Sequence, residues 1–252
     1  MKLPSLFLVL CLCFTMTMSA QKKSLVTKTV SYPSGNDTVQ AYLCLPDTTG
    51  PFPGVILIHE WWGLTDWMKE NAKSFAVRGY ATMAIDLYRG KVTTMPDEAG
   101  QLMKTLPQDR ALQDLKAAFQ YMQSRPEVKP AKIGAIGWCM GGGYSLISAV
   151  NIPELAFCVV CYGHLPTDSS SIASIHCPVL GIFGDADKVI TPADVGQFTN
   201  ATHAMGKKVW TKIYPNAQHA FMNPGNETGY ANNAAEDAWS RIFTFVDTTT
   251  AK

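Results

Sequence analysis

Gly54 to His59 (GVILIH) is an unbroken apolar run, short enough for a strand and apolar enough to be buried on both faces. Similar runs recur at Tyr80 to Ile85, Lys132 to Ile136, Ala156 to Tyr162, Val179 to Phe183 and Lys208 to Tyr214. Segments with helical character separate them. Trp67 to Val77 ends at Arg78-Gly79, and Asp109 to Gln123 carries an apolar stripe at Leu112, Leu115, Ala118, Phe119 and Met122. Asp194 to Met205 and Ala231 to Val246 supply two more helices, and Tyr144 to Val150 is an apolar run behind a Gly-rich turn. Strands that alternate with helices give an α/β class: a mostly parallel central sheet with helices on both faces. Ahead of this, Ser24 to Tyr32 and Thr38 to Leu45 flank the turn Ser34-Gly35-Asn36-Asp37 and form an N-terminal antiparallel hairpin.

In a parallel sheet, ligands collect beyond the C-terminal strand ends. That rule singles out Glu60, Asp86, Cys139, Tyr162, Asp187 and His219. After Lys132 to Ile136 comes Gly137-Trp138-Cys139-Met140-Gly141, the pattern of a nucleophile elbow with Cys in the central position. Its glycines let strand and helix approach closely, and the central residue is presented at a helix N-terminus. Free N–H groups and the helix dipole favour a thiolate there. The Met140 N–H suits a developing oxyanion.

The acid and the histidine follow in the order such sites require. Gly184-Asp185-Ala186-Asp187 ends one strand and Gln218-His219-Ala220-Phe221 follows another. His219 is expected as base, with Asp187 fixing its tautomer. Asp185 competes for that role, its alternative being a turn cap beside Gly184. His203 and His176 read as structural or surface residues, His59 as a packing residue, and His164 as an even choice between pocket and surface. Glu60 ends an apolar strand, where a carboxylate needs a partner or a task. It either pairs with Arg89 or another loop cation, or borders the thiol and manages its proton.

The chain has 252 residues, enough for one α/β domain, and is 47% hydrophobic. With 21 basic and 20 acidic residues, its net charge of +1 gives no reason to expect nucleic acid or an anionic membrane as partner. Residues 1–20 have the layout of a secretory signal peptide: Lys2, the apolar stretch Leu6 to Met16, then Met18-Ser19-Ala20 before Gln21. Cleavage near Ala20 predicts an exported protein, periplasmic or secreted, that keeps no membrane segment. Residues 21–252 then form a single domain with Thr93 to Pro107 inserted over the site. Cys44, Cys139, Cys158, Cys161 and Cys177 remain, an odd number that leaves at least one thiol unpaired. There is no paired Cys or His spacing for a metal and no phosphate loop, so no cofactor is expected.

Several separated motifs together resemble the dienelactone hydrolase family, a cysteine branch of the α/β-hydrolases, from about Val30 to Val246. They are His59-Glu60-Trp61-Trp62-Gly63-Leu64, Asp86-Leu87-Tyr88, Gly137 to Gly142, Gly181 to Asp187 with Pro192, and His219-Ala220-Phe221. The resemblance implies the α/β-hydrolase fold and cleavage of a small ester or lactone through a thioacyl-enzyme. It implies Cys139 as nucleophile, His219 as base, Asp187 as its partner and Glu60 as the carboxylate that holds the resting thiol. It also implies Met140 and Trp61 as the backbone oxyanion donors. Two arginines that clamp a substrate carboxylate in the family's archetype have no match: Asn223 stands at one position, and Lys91 to Asp109 contains no arginine. Arg89 is a possible substitute. Trp61, Trp62, Tyr88, Tyr162 and Phe221, with His164, point to an apolar or aromatic ligand. The competing readings are a thioester or peptide hydrolase or acyltransferase, and a non-catalytic, redox-responsive binding scaffold.

Overall fold

The computed structural model describes residues 24–251, so the expected signal peptide lies outside the described residues. Chain order is β1 (Leu25–Ser34), β2 (Asp37–Pro46), β3 (Phe52–Ile58), α1 (Asp66–Val77), β4 (Ala81–Ile85), α2 (Pro96–Thr105), α3 (Gln108–Gln123), β5 (Val128–Trp138) and α4 (Met140–Asn151). Then follow β6 (Cys158–Cys161), α5 (Ser169–Ala173), β7 (Val179–Gly184), α6 (Pro192–Ala204), β8 (Val209–Tyr214) and α7 (Asn232–Thr250). The strands form one sheet in the order β1-β2-β4-β3-β5-β6-β7-β8. β1 and β2 are antiparallel and close on Gly35-Asn36, where Gly35 takes φ 60. β2 joins β4 antiparallel, and every pairing from β4 to β8 is parallel. No helix among the described residues is long and apolar enough to cross a membrane.

The apolar run in β3 explains the two-layered core. Successive side chains point to opposite faces. Val55 and Leu57 join Phe75 of α1 and Ile242 of α7 on one face. Ile56 and Ile58 join Leu115 and Phe119 of α3 and Leu146 of α4 on the other. Each such side chain contributes about 1.5–3 kcal/mol by leaving water.

The segment Thr93 to Pro107, expected as an insertion, contains a helix of its own, α2. Pro96 and the acidic Asp97 and Glu98 start it, and its short apolar stripe is Ala99, Leu102 and Met103, of which only Ala99 is buried. Arg89 is also not where the sequence suggested. At φ 56 in the turn after β4, it makes a bidentate pair with Asp114 of α3 (2.8 and 2.9 Å) and a third bond to Asp37 at the start of β2 (2.8 Å). Its guanidinium pins the hairpin to a helix and is not free to bind a substrate. Asp114 is fully buried, so Arg89→Leu would leave a charge without its main partner. We expect a loss of about 2–3 kcal/mol in urea unfolding.

Candidate active site

Cys139 sits alone between β5 and α4, with φ 53 and ψ −119. A non-glycine residue holds that conformation only when its surroundings enforce it. The enforcement comes from the two glycines. A Cβ on Gly137 would overlap the Gly141 carbonyl, and a Cβ on Gly141 would overlap the Ile58 carbonyl oxygen. The helix thus starts directly against the ends of β3 and β5. The Cys139 N–H donates to the Cys161 carbonyl (3.0 Å), which fixes the turn and leaves the thiol partly exposed. Met140 opens α4, and a first-turn N–H has no acceptor within its own helix. Among the described residues all five cysteines are free thiols.

Two loops converge on this sulfur. His219, after β8, places Nε2 at 3.1 Å from Cys139 Sγ, while its Nδ1 lies 2.8 Å from Asp187 Oδ2. Asp187, after β7, is buried, and its Oδ1 accepts the N–H groups of Val189 (2.7 Å) and Ile190 (3.0 Å). Burial alone would raise the Asp187 pKa, but the bond from His219 and these backbone donors outweigh it and hold the carboxyl below its ordinary value. Burial likewise works against a charged His219. The bonds to Asp187 and Cys139 outweigh it and lift the imidazole to about 10. Asn226 donates to the His219 carbonyl (3.0 Å), and the Tyr162 ring lies edge-on, 5.3 Å from the imidazole. Asp185 is the turn cap: its Oδ1 accepts the Asn216 N–H at 2.6 Å.

Glu60 follows β3, is buried at 3% exposure, and forms no ion pair with a lysine or arginine among the described residues. Asn223 donates to one oxygen (2.6 Å) and the Tyr162 hydroxyl to the other (3.4 Å). Burial raises its pKa from 4.5 to about 7, against the opposing pull of Asn223, the His219 charge and Tyr162. Glu60 therefore holds its proton in the folded chain at a pH where the unfolded chain has lost it. Stability is expected to fall as pH rises from 4.5 through about 7. Glu60→Gln should flatten that slope in pH-dependent unfolding and remove an ionisation near 7 from the pH profile of kcat/KM. An unchanged profile would assign that ionisation to another group.

The remaining expected residues divide by exposure. Trp61 and Trp62 are half-buried and pack against each other, ring centroids 4.8 Å apart. Tyr88 is nearly buried and directs its hydroxyl to Met140 Sδ (3.1 Å). Tyr162 and Phe221 are both 0% exposed, so neither offers a surface to a ligand. Phe221 packs between Tyr162 and Tyr214, and Tyr162 supports Glu60 and His219. His164 is exposed and lines an open cavity of about 740 Å³ whose wall reaches Met140. Of the other histidines, His59 is buried. Its Nε2 accepts the Leu87 N–H (3.2 Å), which places the proton on Nδ1, facing the Glu60 carbonyl at 2.6 Å. His203 bonds the Val209 carbonyl (2.9 Å) and His176 is exposed. Asn223 is the residue the sequence undervalued. It marked only a missing arginine, yet its amide holds Glu60, and its own Oδ1 accepts the Gly225 N–H (2.8 Å).

A mostly parallel eight-stranded sheet with a strand-to-helix elbow at its C-terminal edge defines the α/β-hydrolase class. Comparison with known proteins is specific beyond that class. The sequence model of the dienelactone hydrolase family matches residues 39–250. Protein usf of Aquifex pyrophilus is 31% identical over 86% of this chain and 96% of its own. A protein of Saccharolobus solfataricus named "Putative carboxymethylenebutenolidase" is 31% identical over 87% of this chain and 97% of its own. Among solved structures, a dienelactone hydrolase-like promiscuous phosphotriesterase from metagenomic libraries superposes with a TM-score of 0.83 at 22% identity, over 89% of this chain and 98% of that one. The chain belongs to the dienelactone hydrolase family. It is a hydrolase that acts on esters or lactones.

Proposed function

We propose that the protein cleaves small carboxylic esters or lactones with Cys139 as nucleophile. The observation that carries this reading is the continuous chain from Cys139 Sγ through His219 to Asp187, with bonds of 3.1 and 2.8 Å. His219 Nε2, 3.1 Å from Cys139 Sγ at the start of α4, takes the proton from the sulfur as it engages the carbonyl. The sulfur attacks the carbonyl carbon, and the oxyanion is received by the N–H groups of Met140 and Trp61. Collapse expels the alcohol oxygen, which takes its proton from His219, and leaves a thioester on Cys139. Water then attacks the thioester and gives its proton to His219, and the thiolate leaves as the acid product forms. Asp187 holds the imidazole in one tautomer and stabilises its charge throughout. Glu60, with its pKa near 7, is placed to take or return a proton at the site, and Asn223 and Tyr162 fix where it rests. The leader-like residues before Gln21 support export, with the mature enzyme working on small molecules outside the cytoplasm.

The test is turnover of an aryl-ester and lactone panel by reduced protein, beside Cys139→Ala, with intact-mass detection of an acyl adduct. Turnover and an adduct, both lost in the variant, are expected. Turnover that survives Cys139→Ala would move the nucleophile elsewhere. No turnover of any ester or lactone would favour a non-catalytic scaffold.

A further inference from the structure

The cavity beside the elbow is long, and its direction is set by one helix. Met140, Gly143, Tyr144, Ile147, Val150 and Asn151 all line it, and these positions share one face of α4. From Met140 to Asn151 that face runs about 16 Å at 1.5 Å per residue. Its end nearest the elbow is Met140, which follows Cys139 in the chain and whose sulfur is held by the Tyr88 hydroxyl (3.1 Å); Cys139 and His219 do not themselves line it. The opposite wall is Met103 of α2, Leu112 of α3 and the loop from His164. That loop lies close on α4: a Cβ on Gly143 would touch the His164 Cβ at 3.4 Å. The helix hidden in the expected insertion thus completes the groove.

No lysine or arginine lines it, and its charged members are Asp109 and Asp168. Both are exposed, and both serve local backbone: Asp109 accepts the Arg110 N–H (2.8 Å) and Asp168 caps α5 through the Ser171 N–H (2.8 Å). The nearby Arg110 is turned to the Leu87 carbonyl (3.0 Å). An anionic substituent would therefore meet carboxylates, and a neutral apolar one would meet methionine, leucine, isoleucine and valine.

Resting on the proposed ester chemistry at Cys139, we infer that this groove is a subsite for an unbranched, uncharged apolar arm of the substrate. The arm is the acyl chain, which enters at Met140 and extends along α4 past Ile147 towards Val150. It distinguishes the preferred substrate from a compact lactone that carries its own carboxylate.

The experiment compares p-nitrophenyl acetate, octanoate and dodecanoate with wild type, Ile147→Trp and Val150→Trp. Both side chains are partly buried and line the groove, and circular dichroism with urea midpoints checks that each variant remains folded. Wild type should use octanoate with a kcat/KM roughly tenfold or more above that for acetate, since apolar contacts are worth tenfold or more in such pockets. Ile147→Trp should cut octanoate turnover about tenfold through KM and leave acetate within about twofold. Val150→Trp should spare octanoate and reduce dodecanoate. Equal use of all three esters by wild type overturns the subsite, as does a uniform loss across the panel in both variants. Failure of wild type on acetate as well would overturn the nucleophile reading itself, a separate result.

Discussion

Replacing His219 with Ala is expected to lower kcat for an activated ester by roughly four to six orders of magnitude, because in the proposed mechanism nucleophile and base act as one unit. The imidazole bonds both Cys139 Sγ and Asp187 Oδ2, so its removal strips the sulfur of its proton acceptor and the carboxylate of its purpose together. Asp187→Asn should cost less, because the imidazole remains against the sulfur while its orientation and charge are less well supported. Alkylation of Cys139 by iodoacetamide at neutral pH gives a readout independent of turnover. It should slow markedly in His219→Ala, while circular dichroism and the urea midpoint report a folded chain. Unchanged alkylation would mean that His219 does not activate the thiol.

Gly141→Ala is expected to destabilise the protein by about 4 kcal/mol or more, at the rare end for a single methyl group. The new Cβ would fall on the Ile58 carbonyl oxygen, with the His59 carbonyl close behind. Both obstacles are backbone, so no side chain can rotate aside. α4 would have to retreat from β3, which carries Cys139 and the Met140 N–H away from the two loops that meet them. Gly196, with open space around it, is the control: Ala there should cost little and, inside α6, gain slightly in helix propensity. Equal melting temperatures for the two alanine variants would remove the close-approach argument for the elbow.

The elements that the sequence disclosed are those whose physics is local. GVILIH announces a strand buried on both sides, and Gly137 and Gly141 flank a turn that few other residues permit. Asp185 and Asp187 could not be separated by spacing, since both follow β7. What separates them is which one meets the Asn216 N–H and which one meets His219. Arg89 was misread because its partners lie distant in the chain, at Asp37 and Asp114. Phe221 looked like a ligand wall by residue type alone, and tertiary packing under Tyr162 buries it. Thr93 to Pro107 was read only as an insertion because α2 is a ten-residue helix with a single buried residue, and its apolar positions Ala99, Leu102 and Met103 span little more than one turn. Asn223 could be found only by asking what hydrogen-bonds Glu60, a question that arises once Glu60 is known to pair with no arginine or lysine among the described residues.

Four of the described cysteines are sealed in the interior, while Cys139 alone is partly open. Vulnerability and activity are therefore the same coordinate: a peroxide or disulfide arriving from solvent meets first the sulfur on which the proposed chemistry turns. Inactivation should then precede any loss of structure, and one equivalent of a thiol probe on the native protein counts working molecules directly. The buried thiols would answer only after denaturation, which makes their late appearance a clock for unfolding.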